Sequence, residues 1–114
     1  MDLELAVTHH DDGVVAVQVT GDIDLVNTPE LRSTLHALVD ADVRRIVVDL
    51  DAVEFIDSTG LGVLIGCLRR LRSSGEDRQL AVVCSRPGIV RVLSITGLDH
   101  LLDVYSDLPE ALKA

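Results

Sequence analysis

The strongest constraint on this chain is an alternation: short runs rich in Val, Ile and Leu take turns with stretches of helical periodicity. "LELAV", from Leu3, and "VVAVQVTG", from Val14, alternate apolar and polar residues as strands do, and "HHDDG" between them supplies turn residues. Together they predict a hairpin from about Leu3 to about Thr20, with "GDIDLVN" following as a loop. "TPEL" then opens a helix, with Thr28 as N-cap, Pro29 at the first helical position and Glu30 near the positive helix end. Leu31, Leu35, Leu38 and Val39 recur at helical spacing and give that helix one buried stripe. "RRIVVDL" and "QLAVVC" are short apolar runs, suited to strands buried on both faces. Between them a long helix is predicted from about Ser58 to about Ser73, with Leu61, Leu64, Ile65, Leu68 and Leu71 on one face and Gly75 just past its end. "SRPGIVRVLSITG" predicts a short helix capped by Ser85 and stopped by Gly97. "LLDVY" predicts an edge strand, and "SDLPEALKA" a last helix capped by Ser106 or Asp107.

Strands that alternate with helices imply right-handed crossovers and a largely parallel sheet. The expectation is one α/β domain over residues 1–114. It has a mixed, mostly parallel central sheet of four or five strands, an N-terminal hairpin and about four flanking helices. Phe55 and Tyr105 are the only aromatics, so its core must be aliphatic.

The 10 Lys and Arg against 19 Asp and Glu leave a net charge of −9, which repels nucleic-acid phosphates and anionic lipid headgroups. Two aromatics also make no base-stacking platform. Neither nucleic acid nor membrane is expected as a partner; a protein with a basic or apolar face is. Cys67 and Cys84 form no CxxC pair, so neither a disulfide framework nor a zinc site follows. The acidic, alternating start lacks the features of a signal peptide, and no apolar run approaches the roughly 18 residues of a bilayer span. A soluble, cytoplasmic chain with reduced thiols and no cofactor is expected.

One stretch does not reduce to core and turns: "VEFIDSTGLGVLIG", Val53 to Gly66. Asp57 or Ser58 suits the N-cap of the long helix. Helical steps from Ser58 lead to Gly62, Gly66, Arg69 and Ser73, away from the leucine stripe. Glycine inside a helix costs about 0.5–1 kcal/mol relative to alanine. Two on one ridge therefore suggest that another backbone or a partner surface comes close there. Enzymatic and nucleotide readings fit poorly. The glycines run GxGxxxG rather than GxGxxG, the ribose-holding acid would be expected near Leu80, inside "QLAVVC", where there is none, and the only lysine is Lys113. "IDSTG" is not the GxSxG of a hydrolase elbow, and no base can be named for Ser58. "HHDDG" is explained by a turn closed at Gly13, because adjacent strand residues diverge where a metal needs them to converge. His36 and His100 stand alone. A receiver-like domain phosphorylated on Asp57 would need acids at the end of its first strand to hold magnesium and a lysine after its last; here the first strand runs into a hairpin and the one lysine is the penultimate residue.

"IVVDLDAVEFIDSTGLGVLIG" resembles the core motif of STAS-domain proteins, in particular the anti-sigma factor antagonists, and "GDIDLVNTPELR" and "SRPGIVRVLSITGL" extend the resemblance over nearly the whole chain. The resemblance implies that Ser58 is phosphorylated by the partner itself, an anti-sigma factor of histidine-kinase-like ATPase fold acting as a serine kinase. It implies a PP2C-type phosphatase that reverses the step, and an unphosphorylated form that binds the anti-sigma factor and frees the sigma factor. The implied contact surface comprises Asp57, Ser58, Thr59, Gly60, Gly62, Gly66 and Arg69 around the motif. The loop from Gly21 to Thr28 adds Asp22, Asp24, Asn27 and Thr28. A monomer or weak dimer is expected. Two other uses of the same fold stay open here: a subunit of a transport complex, and a stress-signalling scaffold component.

Overall fold

The computed structural model describes residues 2–75 and 77–114. Five strands form one sheet in chain order: β1 (Glu4–His9), β2 (Val14–Ile23), β3 (Arg45–Ile56), β4 (Gln79–Val83) and β5 (Asp103–Tyr105). β1 and β2 are antiparallel and every other pair is parallel. This is the mixed, mostly parallel sheet that the alternation implies. The helices are α1 (Thr28–Asp40), α2 (Ser58–Ser74), α3 (Pro87–Ile95) and α4 (Leu108–Lys113). A single 3-10 turn, Asp11–Gly13, closes the hairpin, with Asp12 and Gly13 in left-handed conformations.

Alternate strand residues point to opposite faces, and the two faces differ in kind. On one, Val15, Val17, Val19, Ile46, Val48, Leu50 and Val82 meet Leu31, Leu35 and Leu38 of α1, Leu64, Cys67 and Leu71 of α2, and Ile89 and Leu93 of α3. The register runs a row of valines across the entire sheet: Val7 pairs with Val17, Val17 with Val48, Val48 with Val82, and Val82 with Val104. On the other face α4 covers a smaller cluster, Val14, Val47, Ala81 and Val83 closed by Ala111. Beyond α4 this second face is mixed. Glu4, Gln18, Thr20, Asp49, Asp51 and Arg86, with apolar residues between them, line a shallow hollow of about 530 Å³ there.

Arg45 is the largest side chain sealed inside the molecule. Its guanidinium donates to Ala111 O at the end of α4, to Gln79 Oε1 (3.2 Å) and to Tyr105 Oη (3.4 Å), and it lies 5.6 Å from the Tyr105 ring centroid. A buried cation is tolerable only with its donors used, and the carbonyl end of a helix suits positive charge. Arg45 thereby fastens α4 to the sheet. Arg45→Met keeps most of the volume and leaves the Ala111 carbonyl without its donor, so the expected loss is about 1–3 kcal/mol. Thermal unfolding measures it, and an unchanged midpoint would remove Arg45 from this role.

Three local expectations are corrected. "GDIDLVN" is not all loop, because β2 runs on through Gly21, Asp22 and Ile23. Gly21 has φ +109°, and a Cβ there would collide with the Asp2 carbonyl. The glycine that signals a turn is instead a strand position on which the N-terminal segment presses its backbone. Thr28 is not the cap of α1: Asn27 holds that position, and Thr28 is buried, its hydroxyl donating to Leu25 O (3.4 Å). Ser85 does not cap α3 either; its N–H and hydroxyl donate to Asp51 Oδ1 at 2.8 and 3.0 Å. At α4 the cap is Asp107, which accepts from Glu110 N–H.

Candidate functional site

Two chain segments meet at one end of the sheet because β2 and β3 run parallel and stop together. Ile23 pairs with Ile56, and the Asp57 N–H donates to the Ile23 carbonyl at 3.1 Å. The loop after Ile23 and the helix after Asp57 therefore leave the sheet side by side.

The serine segment is built from the cap outward. Asp57 is extended, with φ −101° and ψ −177°, and its Oδ1 accepts from the Gly60 N–H at 3.0 Å. That bond satisfies one of the free amide groups that every helix start leaves over. Ser58, the first residue of α2, is exposed, and Thr59 behind it is half-buried. The carboxylate thus holds the helix start while the hydroxyl faces outward. The receiver-like reading loses its footing, since Asp57 is engaged as a cap and Lys113 lies in α4, across the sheet.

Gly60 is buried, and a Cβ on it would stand 2.5 Å from Ile23 Cγ2 and 2.9 Å from Ile56 Cγ1. It is the point where α2 rests on the ends of β2 and β3, and it presents no surface to a partner. Gly62 and Gly66 differ: a Cβ on either would meet nothing within 4 Å. Among the described residues, no other backbone comes that close to the ridge at either glycine. From Ser58 through Gly62 and Gly66 to the exposed Arg69, it is bare toward solvent or half so.

The loop segment is organised by Asp24. Its Oδ1 accepts from the N–H groups of Val26 and Asn27, each at 3.0 Å, and its carbonyl accepts from Asn27 and Thr28 at 3.1 and 2.9 Å. Asn27 Nδ2 donates back to the Asp22 carbonyl at 3.1 Å. The loop is held in one shape by its own polar groups, with Asp22, Asp24 and Asn27 half-buried. Thr28, expected at the contact surface, lies underneath it.

Composition reading missed the apolar rim. Leu25 is 71% exposed, Val26 83% and Phe55 53%. Of the seven large apolar side chains exposed among the described residues, these three stand on the two segments that meet at this end of the sheet. The signal was present in the sequence as "LV" inside a turn-rich loop, and as one of only two aromatics standing just before the motif. Charge completes the surface: residues 20–31 and 51–68 carry six acids (Asp22, Asp24, Glu30, Asp51, Glu54 and Asp57) and no Lys or Arg, and the ridge meets its first basic residue only at Arg69, at the far end from Ser58. The thiols take no part, since burial pushes Cys67 up to about 11 and also raises Cys84.

Comparison with known proteins agrees with this geometry. The family model described as "STAS domain" matches residues 6–111. An anti-sigma-B factor antagonist of Staphylococcus aureus is 35% identical over 104 residues, 91% of this chain and 94% of that protein. The crystal structure of an anti-sigma factor antagonist from Mycobacterium paratuberculosis superposes with a TM-score of 0.90 at 36% identity, covering 98% of this chain and 92% of that one. The anti-sigma factor antagonist SpoIIAA in its unphosphorylated form, 15% identical over 96% of this chain and 94% of its own, shares the fold with a TM-score of 0.74. With its mixed five-stranded sheet and the capped D-S-T-G helix start at the sheet's end, the chain belongs to the STAS domain family.

Proposed function

We propose that this protein is an anti-sigma factor antagonist of the cytoplasm, switched by phosphorylation of Ser58. The observation that carries the reading is the exposed Ser58 hydroxyl at the first position of α2, with Asp57 behind it holding the helix start. The names of the similar proteins from Staphylococcus aureus and Mycobacterium paratuberculosis point the same way. In the unphosphorylated form the Asp24 loop, the Ser58 end of α2 and the Gly62–Gly66–Arg69 ridge dock an anti-sigma factor, and the sigma factor is released. That partner has a histidine-kinase-like ATPase fold and phosphorylates Ser58; a PP2C-type phosphatase restores the hydroxyl. Ser58 is substrate, not catalyst.

The physical effect is electrostatic. Phosphoserine adds about −1.5 to −2 charges at pH 7. The start of α2 tolerates an anion, because helix dipole and free N–H groups favour it by roughly 0.3–2 kcal/mol, so the domain stays folded. No basic side chain on the two surrounding segments neutralises the new charge. It therefore acts on whatever is docked. The test is incubation with the candidate anti-sigma factor and ATP, followed by mapping of the phosphorylated residue. Phosphate on Thr59 alone, or on no residue, would overturn the proposal, and capture of a transporter's ATPase or of related scaffold proteins would favour the other uses of the fold.

The apolar rim supplies the attraction. Burying a large apolar side chain on binding is worth about 1.5–3 kcal/mol. Val26→Ser and Phe55→Ser are each expected to weaken the anti-sigma factor complex about tenfold or more, with little change in thermal stability, because both residues stand mostly in water. Calorimetric titration of each variant checks this; unchanged affinity for both would take the rim out of the interface.

A further inference from the structure

We propose that the free edge of β1 pairs with β1 of a second copy of this chain, antiparallel and centred on Val7, so that two five-stranded sheets join into one of ten. β1 is an edge strand bonded on one side only, to β2. Its six residues, "ELAVTH", include no proline and no lysine, and the β1–β2 register runs without a bulge. Proline, lysine and bulges are among the devices that blunt an edge, and β1 has none of these three, its one acidic residue being Glu4 at the end of the strand. The opposite edge, β5, is three residues long and is followed at once by α4.

The valine row says what would cover the edge. Val17, Val48 and Val82 in its middle are fully buried, whereas Val7 at its end is 42% exposed. Continuing the row requires a strand that offers a β-branched side chain level with Val7. A second copy does so by symmetry when the two-fold axis passes beside Val7, setting Val7 against Val7. That register also sets Ala6 against Thr8, Leu5 against His9 and Glu4 against His10. Residues directly opposite in an antiparallel ladder must both point their backbone groups toward the partner or both away, and every one of these pairs meets that rule. No acid faces an acid among these pairs; the same register would set Asp2 against Asp12 only beyond the ends of β1. The contact is isologous and closed, so it stops at two copies.

A single strand pair buries less than a standard interface, so the dimer is weak. Each copy carries a net charge of −9, and salt should strengthen the association by screening that repulsion, the opposite of an ion-paired contact. Sedimentation velocity of the full chain should show a concentration-dependent monomer–dimer equilibrium that tightens as salt is raised. Val7→Lys should remain folded by circular dichroism and sediment as a monomer. Val7→Cys should cross-link to itself under mild oxidation, since directly opposite residues lie within disulfide reach. Ala6→Cys should cross-link far more slowly, because the two copies of residue 6 are offset along the strand. The native thiols of Cys67 and Cys84 are buried and leave the result readable. A monomer up to about 1 mM at high salt would overturn the proposal. So would a dimer that survives Val7→Lys, or faster cross-linking at residue 6 than at residue 7. Pairing of β1 with another protein's strand and no self-association would overturn it equally.

Discussion

Ser58→Asp is expected to bind the anti-sigma factor about a hundredfold more weakly than the native protein, while Ser58→Ala binds it within about threefold and accepts no phosphate there. Two like unit charges about 5 Å apart cost roughly 3 kcal/mol at an effective dielectric of 20, which is a little over a hundredfold in affinity. In the proposed complex a docked acidic group or nucleotide phosphate on the partner would provide the second charge. Asp57 and Asp24 add to the local negative potential on this side. The alanine variant loses only a hydroxyl that faces solvent in the free protein, and Asp57 continues to cap α2 through the Gly60 N–H. Both variants should melt close to the native protein, since position 58 is exposed and an acid at a helix start is favourable by about 0.3–1 kcal/mol. Calorimetry of the three proteins in parallel separates the outcomes. An Asp variant that binds as tightly as the native chain would remove charge as the switch, and an Ala variant that loses the partner would make the hydroxyl an essential contact instead.

Gly60→Val has the other large expected effect, and it falls on stability. Its Cβ alone would stand 2.5 Å from Ile23 Cγ2 and 2.9 Å from Ile56 Cγ1, and both isoleucines are themselves packed in the core. Two further methyl groups cannot be placed without lifting α2 from the ends of β2 and β3. Overpacking of this kind costs typically 1–3 kcal/mol and at times more, and the Gly60 site lies at the upper end. At about 4–8 °C for each kcal/mol in a domain of this size, the midpoint should fall by more than about 12 °C. Gly62→Ala is the control: its Cβ enters open space, and helix propensity favours alanine by up to about 1 kcal/mol, so that variant should be no less stable than the native chain. Equal melting of the two variants would contradict the close packing at Gly60.

The elements whose periodicity was strong were legible from the sequence, and those governed by one contact were not. The alternation in "LELAV" and "VVAVQVTG" marked the hairpin, and the leucine spacing marked α1 and α2, because both patterns express which face is buried. The end of β2 was hidden because Gly21 and Asp22 are turn formers by composition. Only the approach of the Asp2 backbone gives the glycine its reason. Thr28 looked like a cap because hydroxyls cap helices in general, but Asp24 had already organised the preceding turn and left Thr28 to be buried. Within the site, the position of Ser58 followed from the motif. The split between Gly60, pressed into the core, and Gly62 and Gly66, facing open space, is invisible in a string of similar glycines.

Ile23 joins the two halves of the proposed docking surface: its carbonyl takes the Asp57 amide and its side chain lies under Gly60, so loop and helix are fastened to each other. A partner docking there would meet a ready-made mould, and little ordering entropy would oppose its arrival. Ser58 itself is exposed, but the backbone that carries it is tied to Ile23 on either side, so an added phosphate would stay at the mouth of that joint. Rigidity at that joint is what would make the response to a single phosphate sharp rather than graded.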